Sequence, residues 1–231
     1  MSVCADILAT GYADQTEAPG QMRASCSCCL IRSNGQNILF DTLGPWETKS
    51  LVEKLSKCMI HPDDVNLLVC SHSHPDHIGN LSLFTKASKH FVGTSVYKED
   101  IYYLDYFDPP GKVEDDKRGG AEQKTEPFLS NGCYKVDSNI VIEHTPGHTL
   151  ECITLIASNC DGYGTLALVG DLFEREADLK DSSIWLGAGS QNADLQRLNR
   201  AKIYNKADYI LPGHGSLFKS SGQLTSCGQL K

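Results

Sequence analysis

Three things are scarce in this chain of 231 residues. Basic residues are outnumbered: Lys and Arg total 21 against 29 Asp and Glu, a formal net charge of −8. That balance favours solubility and gives no sign of the basic stripe that tight, nonspecific nucleic-acid binding favours, so no DNA partner is expected. Long apolar runs are absent, none nearing the ~20 residues of a membrane span. The start, Met1-Ser2-Val3-Cys4-Ala5-Asp6-Ile7-Leu8, has neither the basic opening nor the apolar stretch of a secretory signal. Also missing is a second Cys pair at zinc-site spacing after Cys26, Cys28 and Cys29. The ten cysteines therefore read as reduced thiols of a cytoplasmic, and also nuclear, chain with no membrane partner. Cys26, Cys28 and Cys29 fall in a strand over residues 25–32 and read as small buried hydrophobes rather than thiolate ligands.

Against those absences stands one dense segment, Ser71-His72-Ser73-His74-Pro75-Asp76-His77. Imidazole nitrogen and carboxylate oxygen are the ligands divalent zinc takes. The preceding run, residues 65–70, is apolar and reads as a buried strand. Continued in extended form, it would turn His72 and His74 to one side, because the strand period is two. Asp76 and His77 follow at the entrance of a helix read over residues 78–84, where Asp is a favoured cap. Ligand types then recur where other apolar strands run into Gly or Pro: His148 after Pro146-Gly147, Asp171 after Gly170, and His214 after Pro212-Gly213. These make seven candidate metal ligands, His72, His74, Asp76, His77, His148, Asp171 and His214. One zinc uses three or four protein ligands, so the count asks for two ions. Their spread from His72 to His214 argues for a single α/β domain over residues 1–231, with hydrophobic residues at 40%, enough for a sizeable core.

The order His-x-His-x-Asp-His, then a lone His, a lone Asp and a last His, resembles the metallo-β-lactamase fold hydrolases. The likeness runs from Ile38-Leu39-Phe40-Asp41-Thr42 to Pro212-Gly213-His214-Gly215. It is closest to a small single-domain branch in Phe40 to Trp46, His77 to Phe84 and Gly170-Asp171-Leu172-Phe173-Glu174-Arg175. The resemblance implies a four-layer αββα sandwich with the metals at one sheet edge. It places His72, His74 and His148 on a first ion and Asp76, His77 and His214 on a second, with Asp171 bridging. Asp171 stands where the common zinc β-lactamases carry Cys, which disfavours antibiotic hydrolysis. His74 stands where diiron relatives carry Glu, so two Zn2+ ions suit the set best, and iron or manganese would also be accepted by these ligand types. The branch implies endoribonucleolytic processing of histone pre-mRNA, and a homodimer. Glyoxalase II, with the same ligands, makes hydrolysis of a small acyl thioester the alternative, and a metal-holding protein without catalysis is the third reading.

Two ions of this kind activate water, so no Ser or Cys nucleophile is required. Asp76 is placed to orient that water or take its proton. Asp41, closing a strand at a turn, is a candidate to hold a ligand from behind, or equally a turn cap. Trp46 and Trp185 could wall a substrate pocket or pack in the core. His144 reads as an ordinary strand residue, and His61 and His90 are assigned nothing. A helix over residues 47–58 would bury Leu51, Val52, Leu55 and Met59 on one face. Strands are expected over residues 26–32, 37–41, 90–94, 128–136, 140–144, 152–157, 165–169 and 209–211, and a second helix from 193 to about 205. Residues 105–127, broken by Asp108-Pro109-Pro110-Gly111 and then highly charged, read as a long exposed loop. As a lid it would offer Lys112, Lys117 or Arg118 to an anionic substrate.

Overall fold

The computed structural model describes residues 2–103, 128–129 and 132–230. The charged loop read over residues 105–127, with Lys112, Lys117 and Arg118, lies outside the described residues. The amino-terminal half supplies β1 (Cys4–Ala9), β2 (Tyr12–Gln15), β3 (Met22–Ser25), β4 (Cys28–Ser33), β5 (Gln36–Phe40), β6 (Leu67–Cys70), β7 (Lys89–Val92), β8 (Ser95–Lys98) and β9 (Ile101–Tyr103). Of these, β1-β4-β5-β6-β7-β8-β9 form one seven-stranded sheet, and β2 pairs with β3 as a separate hairpin. The second sheet runs in chain order through β10 (Phe128–Leu129), β11 (Cys133–Lys135), β12 (Ile140–His144), β13 (Ile153–Cys160), β14 (Gly164–Gly170), β15 (Tyr209–Pro212) and β16 (Phe218–Lys219). Helices α1 (Thr48–Lys57), α2 (Pro75–Ile78), α3 (Ser182–Gly187) and α4 (Ala193–Tyr204) lie between or after these strands.

The strand period of two divides the apolar residues between layers. Ile38 and Phe40 of β5, with Val69 of β6, face Ile142, Leu155 and Leu168 of the second sheet in a shared core. Leu39 and Leu68, the alternate residues, turn outward to Leu51 and Leu55 of α1. In the second sheet Leu166 and Leu168 point inward while Ala167 and Val169 pack against Ala201 and Tyr204 of α4. Helix, sheet, sheet, helix is the αββα sandwich the resemblance implied. Truncating fully buried Leu51 or Leu55 to Ala is worth about 2–5 kcal/mol by the usual cavity cost.

Several local expectations shift. Met59 does not join the face of α1: it lies past the helix end with φ 59° and is 90% exposed. Asp76 is not a cap. The helix starts at Pro75, whose fixed φ and missing N–H suit the first helical position, and His74 occupies the N-cap without a side-chain cap bond. The helix read over residues 78–84 is α2 followed by a 3-10 turn at Leu81–Phe84. Strands β1, β2, β8 and β9 and the short α3 carried no apolar pattern strong enough to read. Among the described residues no helix is long and apolar enough to cross a membrane.

Cys28 and Cys29 are adjacent on β4, so one faces the helix side and the other the core between the sheets. Burial pushes the buried thiols up, Cys152 to about 12. Native alkylation followed by mass spectrometry should label exposed Cys4 and Cys227 first and leave Cys26, Cys28, Cys29, Cys70 and Cys152 unlabelled until denaturant is added. Fast native labelling of Cys28 or Cys29 would contradict the layer assignment.

Candidate metal centre

Strand direction gathers the site. β5, β6 and β7 run parallel, as do β14 and β15, and β12 shares the direction of β14 through two antiparallel steps. The turns that follow β5, β6, β12, β14 and β15 therefore leave at the carboxyl ends of their strands, where ligands gather in such sheets. They deliver Asp41, Ser71 to His77, Thr145 to His148, Asp171, and Gly213-His214 to one place. Close approach constrains the backbone there. A Cβ on Gly213 would stand 1.9 Å from Asp171 Oδ1, so only glycine fits between β15 and that carboxylate.

Asp171 sits in the middle. Its Oδ2 lies 3.6 Å from His72 Nε2 and 3.3 Å from His148 Nε2. Its Oδ1 lies 3.2 Å from both His77 Nε2 and His214 Nε2. His74 Nδ1 joins the first set, 2.8 Å from His72 Nε2 and 3.1 Å from His148 Nε2. Asp76 Oδ2 joins the second, 3.8 Å from both His77 Nε2 and His214 Nε2. Two groups of ligand atoms result, His72, His74, His148 and Asp171 in one and Asp76, His77 and His214 in the other, each group within 4.8 Å. His77 Nε2, Asp76 Oδ2 and Asp171 Oδ1 are buried without a hydrogen-bond partner. Buried polar atoms are rarely left so. Their common direction and the donor chemistry fit divalent cations.

Behind the ligands, Asp41 is fully buried with φ 57° and accepts from Ser71 N–H at 2.7 Å and Ser71 Oγ–H at 3.1 Å. Its Oδ2 also accepts from His77 Nδ1 at 2.8 Å. A carboxylate there requires the proton on Nδ1, which leaves Nε2 for the site. His214 Nδ1 similarly donates to the Ser25 carbonyl at 3.1 Å, and Gln196 Nε2 donates to the Asp171 carbonyl at 3.0 Å. Asp41 thus joins the Ser71 amide and hydroxyl to the His77 ring. Cys26 lies beside Asp41 and His77. Burial and then Asp41 hold its thiol well above the usual range, so it stays protonated.

Charge within the cluster is unevenly placed. Burial works against both His77 and His214, yet Asp171 outweighs it, holding His77 well above its ordinary value and His214 up to about 9. Burial pushes His72 and His148 down. Asp171 stays well below the carboxylate range because His77, His214 and His72 overcome its burial. Protons thus occupy the Asp76 side of the centre, where cations would replace them.

All seven proposed ligands come together, and Asp41 lies directly behind them. Trp46 is 65% exposed at the rim, whereas Trp185 is buried, with the guanidinium of Arg200 5.0 Å from its ring. His144 Nε2 bonds the Leu150 carbonyl, and His61 Nδ1 accepts from Asp63 N–H in a turn. Sequence reasoning missed Glu174, which is buried beside Asp171 and His214. Burial and then Asp171 lift its carboxyl to about 8. Its signal was its place three residues after Asp171. Ser71 and Gln196 were also missed, and neither carries a sequence signal beyond proximity to a ligand.

A sequence profile of the Metallo-beta-lactamase superfamily matches residues 23–214. The chain is 34% identical to Metallo-beta-lactamase domain-containing protein 1 of Xenopus laevis over 81% of this chain and 70% of that protein. It is 33% identical to the Mus musculus protein of the same name over 79% of this chain, spanning 60% of the mouse protein's length. Among solved structures, a B. thuringiensis protein with N-decanoyl-L-homoserine bound at its active site superposes with a TM-score of 0.59 at 17% identity, over 93% of this chain and 94% of that one.

Zinc taken up by metal-free protein near neutral pH should displace protons from His77 and His214. Binding should then tighten about tenfold per pH unit per displaced proton as pH rises, up to about 9 for His214. Calorimetry in buffers of different ionisation heat measures this, and pH-independent uptake would contradict the charge placement. Asp41→Asn should weaken metal affinity about 10–100-fold, the usual cost of losing such a supporting partner, with unchanged affinity removing Asp41 from that role.

Proposed function

The chain belongs to the metallo-beta-lactamase superfamily, and from that membership we propose that it is a hydrolase holding two divalent ions, zinc by ligand type, and cleaving phosphodiester bonds of single-stranded RNA. The observation that carries the two-ion reading is the reach of Asp171, whose Oδ2 lies toward His72 and His148 and whose Oδ1 lies toward His77, with His214 Nε2 within 3.2–3.3 Å of both oxygens. His72, His74 and His148 would hold one ion and Asp76, His77 and His214 the other, with Asp171 shared. Bound, such ions supply Lewis-acid polarisation of the electrophile and acidification of water.

The chain's own groups supply the rest. The centre opens into a cavity of about 500 Å³ lined by His74, Asp76, His148, Asp171, Glu174, Arg175 and His214. With Asp76 Oδ2 turned to the second ion, the other oxygen of that carboxylate would orient an attacking water and receive its proton. Asp76 and Asp171 would repel a phosphate, and two divalent ions would offset that charge locally although the chain as a whole is acidic. Arg175 adds a fixed cation to the same cavity.

A small acyl thioester is the second reading. It is favoured by the apolar part of the wall, Ala13, Met22, Ala24, Ile184 and Ala188, and by the N-decanoyl-L-homoserine bound at the active site of the structural neighbour. Zinc-loaded protein assayed on a single-stranded RNA panel beside a thioester panel separates the two, and RNA should be the substrate turned over. Thioester turnover without RNA cleavage at any salt would reverse the order. On the favoured substrate, Asp76→Asn should lower kcat about 10²–10⁴-fold with metal retained, the range of a lost general base. Near-normal turnover in the metal-loaded variant would remove Asp76 from proton transfer.

A further inference from the structure

The metal cavity does not stand alone. A second cavity, about 560 Å³, is lined by Tyr12, Met22, Arg23, Ala24, Trp46, Pro75 and Asp76. Met22, Ala24 and Asp76 line both, so the two spaces adjoin at the β2–β3 hairpin beside the centre. Arg175 belongs only to the first space, and Arg23 and Trp46 only to the second. Among the described residues neither arginine forms an ion pair. The Arg175 guanidinium donates to the Ala13 carbonyl, and the Arg23 guanidinium lies 5.9 Å from the Tyr12 ring centroid.

Trp46 is held in place there. A Cβ on Gly44 would lie 2.5–2.9 Å from three atoms of the indole, so the ring rests directly on the glycine backbone. Gly44 in turn is bound by Asn80 Nδ2 to its carbonyl at 2.9 Å and by Glu47 Oε2 to its N–H at 3.2 Å. The same turn is tied to the metal segment: Thr42 N–H donates to the His77 carbonyl at 2.8 Å, and Gly79 N–H donates to the Leu43 carbonyl at 2.9 Å. One side of the indole is therefore backed by the peptide chain, yet the side chain remains 65% exposed. Met22, likewise exposed, lines the same cavity, so the open apolar surface here is more than a lone side chain. Stacking on an aromatic face with cations along the backbone is how single-stranded nucleic acid is held without base-pair readout.

We infer that Trp46 is a stacking platform for a nucleobase beside the scissile phosphate, and that the RNA strand lies across the site from Arg23 and Trp46 to Arg175. This rests on the RNA reading of the same site and names how the strand is held. Each arginine neutralises one flanking phosphate. Base identity is read weakly, since every base has a face to stack.

Intrinsic fluorescence tests it without relying on turnover. The chain has two tryptophans, and Trp185 is 3% exposed, so quenching by an added base reports Trp46. Zinc-loaded protein titrated with a hydrolysis-resistant phosphorothioate hexamer of adenylate should be quenched, and the abasic hexamer of equal phosphate number should not quench it. Trp46→Leu should remove the quench and weaken hexamer binding about tenfold or more, and raise KM for RNA more than it lowers kcat. Trp46→Phe should restore binding. Arg23→Gln and Arg175→Gln should each reduce the slope of log affinity against log salt by about 0.7. Equal quenching by both hexamers, none by either, or unchanged binding in Trp46→Leu overturns the platform. So does quenching by a long-chain acyl thioester alone, which would give the cavity to an acyl chain. Adenylate quenching without RNA cleavage would leave the platform standing and sink the RNA reaction. RNA cleavage with a KM untouched by Trp46→Leu would do the reverse.

Discussion

The Asp171 carboxylate is the contact on which the two halves of this molecule depend. It stands after β14 in the second sheet and meets His72 and His77 from the first, as well as His148 and His214 from its own. A lone carboxylate at this depth would be costly to ionise. Surrounded by four imidazoles, it is held ionised well below its ordinary range. Removing any one member leaves other buried groups without a partner. The glycines at the turns follow from this crowding, Gly213 most directly, because the polar groups leave no room for a side chain.

The second constraint is orientation. An imidazole has two nitrogens, and a ligand is useful only when the correct one carries the lone pair. Asp41 settles this for His77, and the Ser25 carbonyl settles it for His214. Asp41 adopts a left-handed backbone conformation to do so, an uncommon state for a residue with a Cβ. That strain is offset by the bonds it accepts from Ser71 and His77.

Much of this was legible in the residues. The ligand types after each apolar strand declared the centre, because coordination chemistry admits few side chains and the strand ends are written in Gly and Pro. The alternating faces of β5, β6 and β14 were equally plain. Other features were hidden for physical reasons. Strands such as β1 and β2 are half-exposed, so no period-two stripe marks them. Met59 matched the helical spacing of α1, yet the chain had already left the helix at Cys58. Asp76 had the chemistry of a cap, but Pro75 starts the helix and puts the cap position at His74. Glu174 looked like any surface acid until the fold enclosed it. Trp46 was ambiguous in sequence because an indole serves core and rim alike, and in the fold its ring rests on Gly44 at the surface.

The separation of the ligands along the chain has a consequence for how the protein is made. His72, His74, Asp76 and His77 leave the ribosome together, whereas His214 follows 137 residues after His77, a delay of roughly 7–30 s at about 5–20 residues per second. Asp171 follows 94 residues after His77, so for roughly 5–19 s the nascent first sheet carries four of the seven ligand-type residues with no Asp171 to balance them. The bonds around that set, Asp41 to Ser71 and His77 and the tie of Thr42 to the His77 carbonyl, are all encoded before residue 80. They can form early and hold the imidazoles in register. None of those bonds needs a residue of the second sheet.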